Sequence, residues 1–146
     1  MAMNDRSKAP RHLWIVGVVS VLWNAFGAFD YLMTQTRNEA YMANFTAEQR
    51  LYFDTFPAWL VSLWALGVWG ALAGSVLLLM RSRHAVTAFV VSLLGLAGST
   101  LYQFGFADVP ESLNTPGMLV MNLVIWTVAI ALLVYARTMR ARGVLR

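Results

Sequence analysis

Four long apolar stretches, at 13–33, 57–80, 85–106 and 118–135, leave this chain few folds to choose from. A helix crossing a hydrocarbon core of about 30 Å needs roughly 20 apolar residues, and each stretch meets or approaches that length. The fourth is the shortest. Helix continuing to about 139, with its arginines snorkelling to the interface, completes it. Lipid offers no partner for a free backbone N–H or C=O, so each span must satisfy its own by folding as helix. The expected fold class is therefore an all-α membrane protein. One domain, 1–146, holds a four-helix bundle with spans at about 13–33, 57–80, 85–106 and 118–139.

Composition agrees with that reading. Apolar residues make up 59% and charged residues 12%, whereas a water-facing domain carries about 25% charged residues. The surface left uncharged is expected to face the lipid bilayer. The first stretch follows a basic segment, as a signal sequence does, but it is too long and too rich in Trp and Phe for one and reads as a retained span.

Direction follows from the cations. Arg6, Lys8 and Arg11 precede the first span, Arg81 and Arg83 join the second to the third, and Arg137, Arg140, Arg142 and Arg146 follow the fourth. Nine of the eleven basic residues thus share one side; Arg37 and Arg50 lie opposite, among Glu39, Glu48, Asp54, Asp108 and Glu111. The expected location is a bacterial inner membrane, crossed four times, with both termini cytoplasmic. Because the net charge of +4 is divided among separate places, no nucleic-acid partner is expected.

The first outer loop contains Thr46-Ala-Glu-Gln49, a capping-box sequence, followed by Leu51, Tyr52 and Phe56 on one helical face. This predicts a short amphipathic helix at about 46–56 lying in the outer interface, with Pro57 in the first turn of the next span. The second span carries Gly67, Gly70, Ala71 and Gly74, and the third carries Ser92, Gly95 and Ser99. Such small-residue stripes let helices approach closely. They serve packing within the bundle or a homo-oligomer interface, and spacing alone leaves both open. Short echoes between Phe26-Gly-Ala-Phe-Asp30 and Phe104-Gly-Phe-Ala-Asp108 hint that the two hairpins are repeats.

Polar side chains inside a membrane are costly and mark candidate sites. Asp30, Gln103 and Asn122 fall roughly 5–6 Å below the outer boundary, at about 1.5 Å per residue. Trp64 and Trp126 fall deeper, and Asn24 lies near the midplane. Asp30, Gln103, Asn122, Trp64 and Trp126 outline a solute-binding pocket open to the outside, where tryptophan faces stack on a sugar or other small polar solute and amides bond its hydroxyls. Asn24, a further candidate, lies on the neighbouring face of the first helix and is not expected to meet Asp30 in one pocket. The plainer account is hydrogen bonding between helices for Asn24, Gln103 and Asn122, and pairing with Arg37 or Arg50 for Asp30. Chemistry of other kinds has no foothold. There is no cysteine, the two histidines His12 and His84 stand beside basic clusters at helix ends, and no paired carboxylates, no serine near a histidine within the membrane and no phosphate loop occurs; Ser82-Arg-His84 reads as a charged turn. No enzyme activity, metal or cofactor is expected.

Five segments carry a resemblance: Leu13-Trp-Ile-Val16, Leu22-Trp-Asn-Ala-Phe-Gly-Ala-Phe-Asp-Tyr-Leu-Met-Thr34, Gly67-Val-Trp-Gly70, Leu78-Leu-Met-Arg-Ser-Arg-His-Ala85 and Tyr135-Ala-Arg-Thr-Met-Arg-Ala-Arg-Gly-Val-Leu145. Over nearly its whole length the chain resembles a family of small bacterial four-helix inner-membrane proteins, whose members have no assigned function or are loosely labelled sugar transporters. The resemblance implies the same fold and a transporter-like role, and it supplies no binding residues. Four helices are few for a transport path, so a homo-oligomer is expected. The alternative is a non-enzymatic accessory or assembly subunit of a larger membrane complex.

Overall fold

The structure, a computed structural model, describes residues 8–146. Its four long helices are α1 (Arg11–Gln35), α4 (Ala58–Leu79), α5 (His84–Gly105) and α6 (Pro116–Ala141), each long and apolar enough to cross a membrane. Every end lies within two residues of the expected span boundaries, the end of α6 matching the extension to about 139 and not the apolar stretch alone. Between α1 and α4 lie two short helices, α2 (Glu39–Met42) and α3 (Ala47–Asp54), and a 3-10 turn at Glu111–Leu113 precedes α6. Among the described residues there is no strand.

Local chemistry sets the helix ends. The box expected at Thr46 is formed: its hydroxyl accepts from Gln49 N at 3.2 Å, and Gln49 Oε1 accepts from Thr46 N at 3.1 Å. Thr115 caps α6 by accepting from Met118 N, and Pro116 fills the first turn. Pro57 stands one position earlier than expected, at the N-cap of α4.

Three helices end in a Schellman arrangement, with the residue past the cap in left-handed backbone. In α6 that residue is Gly143 (φ 70°), and Val144 N donates back to Met139 O at 2.9 Å. In α1 and α4 it is Arg37 (φ 51°) and Arg81 (φ 58°), where a side chain costs about 1 kcal/mol. Both arginines offset that cost with a contact of their own. Arg37 Nη2 meets Asp54 Oδ1 at 2.9 Å, and Arg81 Nε donates to Val144 O at 3.1 Å.

Packing is uneven. Helix α4 lies closest to α5, α1 covers another side of α4, and α6 touches α5 more sparsely, so the two hairpins do not pack alike. A methyl on Gly70 would stand 3.1 Å from Ser92 N, and one on Gly95 only 2.5 Å from Leu63 O. The ring of Phe89 lies against Gly74, and Ser92 Oγ donates to Gly67 O at 2.6 Å. The small-residue stripe of α4 thus packs against α5 of the same chain.

The buried core sits at the end of the bundle that carries the termini. Leu13, Leu78, Ala85, Phe89, Ala136 and Met139 meet there, joined by Val144 and Leu145. The last residues fold back onto the α4–α5 turn: Arg83 N donates to Arg146 O and Arg146 N to Arg81 O, both at 2.8 Å. Also at this end, His12 Nδ1 and the Tyr135 hydroxyl are 2.5 Å apart, in a hydrogen bond that joins α1 to α6.

Candidate functional site

Toward the opposite, loop-bearing end the helices part. A cleft of about 720 Å³ opens there between α1 and α6, with α4 and α5 forming its back. The reason is local. Rings knit α2 and α3 to α1, α4 and α5: Phe29 to Tyr41 at 5.9 Å, Tyr41 to Phe45 at 5.7 Å, Phe45 to Phe53 at 5.4 Å, and Phe56 to Tyr102 at 6.3 Å. None of these ring pairs includes α6, whose hold on α5 at this level is the bond from Trp126 Nε1 to Thr100 Oγ1 at 3.2 Å.

The walls are mostly apolar. Trp23 and Phe26 come from α1, Trp64 and Val68 from α4, and Met121 and Ile125 from α6. Phe89 and Leu132 close the floor over the core. Polar groups are few: Asp30, Asn24, Ser92 and Ser99. Ser92 is bonded to Gly67 O, whereas Ser99 Oγ is buried and without a hydrogen-bond partner. An orphaned hydroxyl on an otherwise apolar wall is the kind of group a bound molecule satisfies.

The structure divides the six candidate residues, and it brings Asn24 and Asp30, expected on separate faces, to the same cleft. Asp30, Trp64 and Asn24 line the cleft; Gln103, Asn122 and Trp126 do not. Trp126 is turned to Thr100 on α5. Asn24 lines the cleft and also ties two helices, its Nδ2 donating to Ala71 O at 3.2 Å and to Ser75 Oγ at 2.7 Å. Asp30 pairs with neither arginine expected for it. Arg37 holds Asp54, Arg50 Nε donates to Phe45 O, and Asp30 accepts from the Tyr41 hydroxyl instead. Sequence reasoning missed Tyr41, Trp23, Phe26 and Ser99. Only Trp23 carried a signal, since it shares a helical face with Gly27 and Asp30.

Tyr41 is bonded to the carboxylate of Asp30, which lines the cleft, and is packed on Phe29. Burial, then the bond to Asp30 and its charge, push the Tyr41 pKa up to about 12. An unfolded tyrosine releases its proton near pH 10. The stabilising contribution of Tyr41 is therefore complete below about pH 10 and is lost as pH rises toward 12, because the unfolded chain ionises first. Thermal unfolding of the native chain and Tyr41→Phe, followed from pH 8 to 12 in detergent, should show the native advantage shrinking only above about pH 10. A gap that stays constant across that range would mean the hydroxyl does not act through its proton.

No family model, curated protein or solved structure matches this chain.

Proposed function

We propose that this chain is a non-enzymatic, transporter-like membrane protein that binds an amphipathic solute in the cleft between α1 and α6. The observation carrying this reading is the cleft itself: laterally open at membrane depth, apolar on its walls, with its few polar groups towards the back and the loop-end rim. Concave, mostly apolar sites with a few placed polar groups are the usual form of small-molecule sites. A sugar suits it less well, since Gln103 and Asn122, the amides meant to bond hydroxyls, lie outside it.

The cation distribution supports an inner-membrane orientation with both termini in the cytoplasm. The rim at Asp30 then faces the periplasm. Helix α3, with Leu51 65% exposed beside half-buried Tyr52 and Phe53, suits a position in the outer interface.

A thermal-unfolding screen of the purified protein in uncharged detergent tests the reading. Single-chain amphiphiles should raise the unfolding midpoint by several degrees, as expected when ligand is in large excess over its Kd, and free sugars should not. Stabilisation by sugars alone would return the polar-solute reading to first place, and stabilisation by neither would leave the cleft without a solute role.

A second reading, an accessory subunit, is supported by α6. Its loop-end half is exposed almost all round, from Met118 through Leu123 to Ile125, more than a helix packed in a closed bundle leaves free. Recovery of a stable hetero-complex in mild detergent would favour that role.

A further inference from the structure

We infer that the cleft selects lipophilic cations over anions and neutral solutes of the same shape. The inference rests on the cleft being a solute site. Among the described residues lining it, Asp30 is the one ionisable side chain, so the wall carries negative charge with no cation beside it. The two arginines at the loop end are engaged elsewhere, Arg37 with Asp54 and Arg50 with Phe45 O. Tyr41 donates to Asp30 Oδ1, and among the described residues no second donor reaches the carboxylate. Its other oxygen remains for a ligand.

The surroundings favour the same charge. Trp23, Phe26 and Trp64 make the wall aromatic, and the negative quadrupole of an aromatic face attracts a cation and not an anion. Asn24 directs both amide hydrogen bonds to α4, leaving its carbonyl oxygen, the negative end of the group, unpartnered among the described residues. The apolar walls select for a greasy body, and their low dielectric strengthens attraction to the carboxylate relative to water. A strongly hydrated cation would lose its water without replacement here, whereas a cation whose charge is buried among carbon groups loses little.

Tetraphenylphosphonium and tetraphenylborate have nearly the same shape and opposite charge. Calorimetric titration of each into the full chain in uncharged maltoside micelles, with empty micelles as blank, compares them directly. The phosphonium should bind at least about tenfold more tightly than the borate. Asp30→Asn should lower phosphonium affinity by about tenfold and leave the borate unchanged or improved, while Asp30→Glu keeps the preference. Equal affinity for the two ions, tighter borate binding, or a preference untouched by Asp30→Asn would overturn charge selection and leave the amphiphile site standing. If neither ion binds but neutral amphiphiles stabilise the chain, charge selection fails alone. If neutral amphiphiles fail as well, the solute site fails with it. Should Asp30→Asn not fold, the two ions on the native chain and on Asp30→Glu still decide the matter.

Discussion

Gly95→Ala is expected to destabilise the bundle by about 3 kcal/mol, the upper end of what over-packing a close-fitted interior costs. The added methyl would stand 2.5 Å from Leu63 O and 2.7 Å from Gly67 N. Both are backbone atoms of α4, so no side chain can swing aside, and the two helices must separate along the face where they pack most closely. Separation also strains the bond from Ser92 Oγ to Gly67 O, and both residues belong to the back wall of the cleft. Gly105→Ala is the control, since its methyl would meet only Leu101 Cδ1, at 3.9 Å. There the better helix propensity of alanine should leave stability unchanged or slightly raised. Reversible unfolding in mixed micelles with increasing dodecyl sulfate reads both variants. A loss at Gly95 no larger than at Gly105 would mean that α4 and α5 do not approach as described.

This prediction was half legible in the sequence. Small residues at Gly67, Gly70, Gly74 and Gly95 mark where backbones meet, whatever the solvent. The helix spans were legible for a related reason: an unbroken apolar run of this length has one inexpensive conformation in lipid. Rotation of each helix was not. In water an apolar stripe points inward, but here the lipid-facing and core-facing sides are both apolar, so α4 presents no amphipathic stripe by which to orient it. That is why Asn24 and Asp30, read as lying on separate faces, share the cleft, while Gln103, Asn122 and Trp126, assigned to a pocket from depth alone, lie outside it.

The return of Val144 and Leu145 into the core was illegible for a different reason. Two apolar residues after an arginine-rich helix end look like a frayed tail, and only the Gly143 turn brings them back under Met139. The arginines at positive φ were equally hidden, because glycine is the residue that normally announces such a cap. Tyr41 reaches Asp30 across a loop whose path depends on the Arg37 cap and the Arg37–Asp54 pair. Neither contact leaves a mark in local spacing.

Helix α6 gives the second large effect. The residues Met121, Ile125, Val128, Ala129 and Leu132 face α1 across the cleft, and their neighbours on the outer side are free. Ala129 is the smallest of the five, so a large ring at that position projects into the open volume, and the cleft takes up the bulk without displacing the core beneath it. Ala129→Trp should therefore fold with near-native stability and lose the solute site. Ile130 is next along the same helix, 49% exposed and outside the cleft. Ile130→Trp adds a tryptophan to α6 at the same depth and leaves the cleft open.

The most direct measurement is the shift in unfolding midpoint caused by a saturating amphiphile, compared among the native chain, Ala129→Trp and Ile130→Trp in the same uncharged detergent. The expected result is a shift of several degrees in the native chain and in Ile130→Trp, and almost none in Ala129→Trp. Equal shifts in all three would place binding elsewhere on the protein and contradict the assignment of the α1–α6 cleft as its solute site.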